Sequence, residues 1–379
     1  MNWWQRLRKN RLAWVGAIVL GIFYIAILFA EFIAPYDPYV SQADGSLLPP
    51  TQIYWQNQNG QLIGPHVYPT TQGPVDLETG DRALIVDRSQ PSALRLFAKG
   101  DPYRLFRIRL PLPTQFPFGK VEERELLPGI AGDRHLFGTD GPGRLNLLGT
   151  DEAARDQLSR LLYGGRVSLT VGLIGVAIAF PLGMLVGGIS GYFGGWVDAI
   201  LMRLAEVIMT IPSLYLLVTL SVVLLNLDLK LSSPQRFLLI ILITSFIRWA
   251  ALARVIRGQV LSIREREFVQ AARAMGGGAF YNIVRHVLPQ TATYALIAAT
   301  LAIPDFIVAE AVLSFLGLGI VPPDPSWGNM LSISTNPSIL VLQPWLVWPP
   351  AALIVLTVLA FNLLGDGLRD ALDPRSISR

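Results

Sequence analysis

The sequence contains no cysteine and only three histidines, His66, His135 and His286. Disulfide scaffolds and thiolate metal sites are therefore excluded, and the histidines lie too far apart to show metal-ligand spacing. Charge is scarce as well. Asp, Glu, Lys and Arg make up 15% of the chain, against about 25% in an ordinary soluble domain. No G-x-x-x-x-G-K-[ST] segment occurs, so the chain has no Walker A loop with which to bind ATP. No Ser–His pair or metal-ligand cluster points to hydrolytic chemistry. Asp366, in LLGDGL, superficially offers an intramembrane catalytic acid. It sits at the end of an apolar run, is followed by Arg369, and has no second aspartate in a matching context. The net charge of +4 is modest and gives no nucleic-acid signal; in so apolar a chain it is read loop by loop.

What is present is hydrocarbon. Of 379 residues 52% are hydrophobic, and the mean hydropathy is +0.45. Six apolar runs have membrane-spanning length: 12–33, 167–189, 199–225, 237–255, 292–313 and 346–364. The first, about 22 residues at ~1.5 Å each, crosses a hydrocarbon core of ~30 Å. It ends in Pro-Tyr-Asp-Pro with no Ala-x-Ala site, so it reads as an uncleaved transmembrane helix. Trp3, Trp4, Arg6, Arg8, Lys9 and Arg11 precede it as an interfacial arm. The expected fold is mainly α: a polytopic membrane protein with six transmembrane helices. Arg and Lys near helix ends concentrate in the N-terminal arm, in the 254–285 region and in the C-terminal tail. The positive-inside rule then places both termini and the segment between the fourth and fifth spans in the cytoplasm, in a multi-pass inner-membrane protein.

Three parts are expected: residues 1–37 (arm and first span), 38–146 (an extracytoplasmic insert) and 147–379 (a core holding spans two to six). The insert carries turn signals. IYWQNQNGQLIGPHVY reads as a hairpin about Asn59-Gly60, and ALRLFAKGDPYRLFRIRL as a second, turning at Gly100-Asp101-Pro102. A small β-rich domain between helices 1 and 2 follows, with an irregular Pro-rich loop as the alternative.

Between spans four and five, in the loop 257–290, lies REREFVQAARAMGGGAFYNIVRHVLPQ. Its first half favours helix, and Phe268, Ala271, Ala272 and Met275 recur at i, i+3, i+4 and i+7 on one face. Gly276-Gly277-Gly278 stops the helix, residues 279–288 allow a second, and Pro289 fits the first turn of span five. A helix–turn–helix elbow with an apolar face is a docking element by helix-in-groove logic; packing on its own bundle alone is the other reading.

VQAARAMG followed by HVLP resembles the Glu-Ala-Ala loop of ABC importer permeases. Ala271, Ala272, Gly276, Leu288 and Pro289 fit at the right spacing. Gln270 stands for the usual Glu and His286 for Ile, and Glu267 lies one turn earlier. GTDEAARDQLSRLLYGGRVSLTVG, AEAVLSFLGLGIVPPDPSWGNML and NLLGDGLRDALDPR resemble three further stretches of the dipeptide/oligopeptide/nickel permeases, C-type subunit, with Ala154 replacing a Gly. The resemblance covers residues 1–37 and 147–379 and says nothing of the insert. It implies a translocation path built with a second, homologous permease. It implies two cytoplasmic ATPases, which use the ATP while this chain binds no cofactor directly. It also implies an extracytoplasmic solute-binding protein, an elbow moved as a lever, and no enzymatic activity. It leaves open peptides, nickel chelates or another small solute. A secondary transporter is the rival by topology, but no inverted repeat of the spans is visible.

Inside the spans, Pro181, Pro212 and Pro304 permit kinks, and Gly183 and Gly187 form a small-xxx-small pair. Asp305 and Glu310 are the costliest groups in span five. With Pro304 they mark a candidate translocation pathway, where they would meet a peptide amine; pairing with Arg or at a subunit interface is the alternative. Asp198, Arg203 and Glu206 have the spacing of a local ion-pair network. Trp327, Trp345 and Trp348 fit an interfacial belt.

Overall fold

The computed structural model describes residues 3–75, 82–113, 121–226 and 233–372. The tail from 373, used in the charge argument, and most of the loop between spans three and four lie outside the described residues. Short α1 (Trp3–Leu7) precedes α2 (Arg11–Leu28), which Asn10 caps by accepting from Ala13 N–H at 3.1 Å, and a break at Phe29 leads into α3 (Ala30–Ile33). After the strands come α4 (Gln157–Phe193), α5 (Gly195–Thr210), α6 (Ser213–Asn226) and α7 (Ser233–Ile263). Then follow α8 (Glu267–Ala274), α9 (Ala279–Asn282), α10 (Leu288–Phe315), α11 (Trp327–Leu331), α12 (Pro337–Leu342) and α13 (Pro344–Leu372).

Five helical stretches are individually long and apolar enough to cross a membrane: Arg11–Leu28, Gln157–Phe193, Pro234–Ile263, Ala279–Phe315 and Pro344–Leu372. The apolar run 199–225 is not one straight helix. It is divided into α5 and α6, which meet at 88° across Ile211-Pro212. Pro212 lacks the N–H that would continue the ladder. Pro181 and Pro304, by contrast, lie within the single elements α4 and α10.

The bundle is held by close backbone approach. A Cβ at Gly183, Gly187 or Gly191 of α4 would fall less than 3.0 Å from the carbonyl oxygens of Trp249, Ala253 and Arg257 on α7. The glycine pair read from sequence is thus two-thirds of a stripe that lets two backbones touch, the usual device where lipid supplies no hydrophobic drive. Leu20, Leu169, Ile241, Ile307, Trp327 and Phe361 sit in the main core, which joins α2, α4, α7, α10, α11 and α13.

Ahead of α4, the GTDEAARD motif folds into a tight loop. Asp156 caps the helix, accepting from the Ser159 N–H and hydroxyl at 2.7 Å each. Buried Arg160 reaches Asp151 at 3.2 Å and donates to the carbonyls of Pro38 and Pro323. Ala154, standing where the resembling family has Gly, holds φ +59. That left-handed conformation costs a Cβ-bearing residue about 1–2 kcal/mol, which explains the glycine elsewhere.

Strands occupy the region between α3 and α4. A four-stranded antiparallel sheet has the order β1 (Tyr54–Gln56), β2 (Leu62–Val67), β5 (Ser92–Leu105), β8 (Ile130–Asp140). Two hairpins accompany it: β3 (Thr70–Val75) with β4 (Arg82–Val86), and β6 (Ile108–Pro113) with β7 (Val121–Leu127). The β1–β2 turn closes at Gly60 (φ +76), with Asn57 Oδ1 accepting from the N–H groups of Asn59 and Gln61. The second hairpin is not where the sequence reading put it. Gly100-Asp101-Pro102 lies inside continuous β5, where pairing with β8 shifts register between Lys99 and Tyr103. The chain turns instead at Phe106 (φ +60). The long partner β8 spans the irregularity, and a bulge absorbs the proline. Phe106 packs edge-on against Phe29 at the end of α2.

Candidate functional site: the elbow and the mid-helix acids

The 257–290 region forms the elbow. Glu267 opens α8 with an acid in its first turn, favourable at the positive end of a helix. The helix ends in a Schellman motif: Gly277 N–H donates to Ala272 O at 3.0 Å and Gly276 N–H to Arg273 O at 2.9 Å. The three glycines are not equivalent. Gly276 has φ +87, and Gly277 leaves no room for a Cβ beside Ala272 O. Gly278 has open space around it and an extended backbone. A π-helical turn, Ile283–Val287, then joins α9 to α10 without a break, and Pro289 lies in the first turn of α10. The second arm of the elbow is therefore continuous with the membrane helix.

One face of the elbow is committed inward. Val269, Ile283, Val287 and Leu288 are buried against Tyr192, Leu252, Ile256, Val260 and Ile263, and Ala272 is buried as well. This corrects the reading of Ala272 as part of an open face. Four residues at this helical spacing span about 100° around the axis, and Ala272, at one edge of that arc, is buried. Ala271, Phe268 (40% exposed) and Met275 (83%) remain outward. Phe280 (67%) and Tyr281 also project from the second arm. The sequence reading missed these two aromatics, although exposed aromatics beside a glycine turn are themselves the signal.

Tyr192, at the end of α4, is the joint. Its hydroxyl accepts from Arg273 Nε at 2.8 Å and from buried Asn282 Nδ2 at 3.2 Å, one partner from each arm. Arg273 also stacks over the Tyr192 ring at 4.3 Å. Arg264 donates to the Gly191 carbonyl at 2.9 Å. Tyr192→Phe should loosen both arms at once. Losing a hydroxyl that serves two buried or charged donors costs about 1–3 kcal/mol. Backbone amide exchange across 267–282 should quicken roughly tenfold, with the rest of the bundle unchanged. Unaltered exchange there would remove the joint from this description.

Nearby, Arg257 grips Asp198 through Nε (3.0 Å) and Nη2 (2.5 Å), and Ser190 donates to the same carboxylate. Arg203 and Glu206 pair as expected at i,i+3. Asp198 takes its partner from α7 rather than from its own helix, which ties α5 to α4 and α7.

The acids of α10 part company. Asp305 has a half-exposed side chain and meets Arg248 of α7 at 2.7 Å. Glu310 is fully buried and lines no open surface, a correction to its placement on a pathway. Ser168 donates to its Oε2 at 3.0 Å and Ser314 to its Oε1 at 2.7 Å. Those hydroxyls in turn accept from Trp327 N–H (3.1 Å) and Ile320 N–H (3.0 Å). Glu310 thus fastens α4, α10 and the loop into α11. Pro304 is buried beside Asp305 and presents no side chain to a solute. Trp327 is no belt residue either: it is buried, with Nε1 donating to Leu161 O at 3.0 Å. Trp348 is exposed.

The comparisons with known proteins fall on this architecture. Residues 2–50 match the N-terminal TM domain of oligopeptide transport permease C. A dipeptide transport system permease protein of Bacillus subtilis is 42% identical over 234 residues, covering 62% of this chain and 70% of the relative. An oligopeptide transport system permease protein of Haemophilus influenzae is 40% identical over 230 residues, 61% of this chain and 70% of the relative. One from Mycobacterium bovis is 39% identical over 237 residues, 62% and 78%. Residues 179–378, which carry the elbow, Asp305 and Glu310, match the binding-protein-dependent transport system inner membrane component, and the chain belongs to that family of ABC-transporter permeases.

Proposed function

We propose that this chain forms half of the translocation pathway of an ABC importer for peptides. In this reading it pairs with a second, homologous permease, receives solute from an extracytoplasmic binding protein, and is driven by two cytoplasmic ATPases. The observation that carries the reading is the elbow. Its inner face is locked to α4 and α7 through Tyr192, while Phe268, Met275, Phe280 and Tyr281 face outward. Exposed aromatics and Met flanking a rigid turn are anchors for a partner's groove. Because α9 passes into α10 through the π-helical turn, a push on the elbow reaches a membrane helix directly.

The fold reading goes with it. The bent α5–α6 pair serves as one span, giving six, with the strand-rich insert on the face opposite the elbow. The peptide class follows the names of the relatives.

The test uses the assembled transporter in membranes. The double variant Met275→Glu/Phe280→Glu should remain membrane-inserted and keep its partner permease but lose its ATPases in a pull-down. Full ATPase retention would sink the elbow as the docking element. In the same preparation, single cysteines at Gly278 and Asn59 should label from opposite faces of the membrane; labelling from one face would overturn the six-span arrangement.

A further inference from the structure

A second polar site lies at mid-height of the bundle, well away from the elbow. Arg248 stands in the middle of α7, and its Nη1 donates to Asp305 of α10 at 2.7 Å. Both side chains are partly open on stretches of helix that are mainly apolar. Ionisable groups at such a depth are costly and face a cavity or a partner. Here they line a cavity of about 220 Å³ with Ser213, Leu217, Thr244 and Val308. Ser213 is the first residue of α6, directly after the 88° break in the α5–α6 pair. A break in a membrane helix frees the first-turn N–H groups of its second half, and these carry the positive end of the helix dipole. The independent observation is Thr244. Its residue is 3% exposed, it lines the cavity, and its buried hydroxyl has no hydrogen-bond partner. A buried orphan hydroxyl is costly unless something meets it.

We propose that this cavity binds the carboxylate of the solute, which for the peptide importer proposed above is a peptide C-terminus. Three sources of donors border the cavity: Arg248, Thr244 and Ser213 at the start of α6. A guanidinium offers five N–H groups and the bond to Asp305 uses one. The Thr244 hydroxyl is uncommitted. The start of α6 adds its first-turn amides. Asp305 is a positioning residue: it holds Arg248 and offsets its charge while the site is empty. The volume admits a terminal residue and not a whole peptide, since a water-sized volume is about 30 Å³. The site therefore reads one end of the solute and leaves its length free.

The experiment places the transporter, with its partner permease, ATPases and binding protein, in proteoliposomes and imports trialanine or its C-terminal amide. Arg248→Gln and Thr244→Val should each lower the ratio of trialanine to amide import, Arg248→Gln by about tenfold or more, the usual cost of stranding a charge-assisted pair. Amide import should fall less than trialanine import in both variants. A thiol at Ser213→Cys, in a chain with no native cysteine, should be shielded from maleimide by trialanine and not by the amide. If the variants lower both imports alike, or leave the ratio unchanged, the cavity does not read the carboxylate and the proposal fails. If the unaltered transporter imports neither peptide, the peptide function itself fails.

Discussion

Gly276→Pro is expected to reduce ATP-driven import to background while the chain stays in the membrane. Two physical demands meet at this residue. Its φ is +87, whereas proline is fixed near −65°. Its N–H donates to Arg273 O at 2.9 Å, and proline has none. The Schellman closure that ends α8 is lost on both counts, so the two arms can no longer share Tyr192. A graded series separates conformational strain from bulk. Space around Gly276 is open, so size alone is harmless. Gly276→Asn, a residue that tolerates the left-handed region, should import near normally. Gly276→Ala should lose a part, since the strain is about 1–2 kcal/mol. Gly276→Val should be worse because branching stiffens the same backbone. Import and ATP hydrolysis measured together give the order. Equal import across the four variants would show that the turn conformation is irrelevant to coupling.

Much of this was legible in one sequence because hydrophobic length and glycine punctuation are local signals. The elbow's arms, its stop at the glycines and the placement of Pro289 follow from residues within a few turns of each other. The family emerged from motifs of the same kind. What sequence periodicity did not reveal is which way each face turns. Ala272 and Phe268 share an arc, yet the fold buries one and leaves the other in the open. Glu310 looked like a pathway acid because its neighbours in sequence are apolar. Its partners are Ser168 and Ser314, and the first lies 142 residues away. The Gly100-Asp101-Pro102 turn failed for a related reason, since pairing with distant β8 carries β5 straight through it. Position in a helix is local information, and contact is not.

Glu310 gives the largest expected effect on stability. It is the hub of a closed set of hydrogen bonds: two serine hydroxyls reach it, and each passes on a bond to a backbone N–H, of Trp327 or of Ile320. Glu310→Ala removes the acceptor and leaves a void between α4 and α10. Both serines would lose a partner at a site where all three side chains are buried. The sum of the cavity and the stranded hydroxyls is about 3–5 kcal/mol, enough to unfold a marginal protein. The variant should lose most of its folded yield after detergent extraction, and its apparent Tm should fall by several degrees or more. Glu310→Gln keeps the volume and one carbonyl acceptor, and its amide can donate to the remaining lone pair of a serine. It should lie close to the unaltered chain, within about 1–2 kcal/mol. A pathway role predicts the reverse pattern: both variants fold normally, and import changes with the charge. A stable, well-assembled Glu310→Ala chain would overturn the structural assignment and return this carboxylate to the pathway.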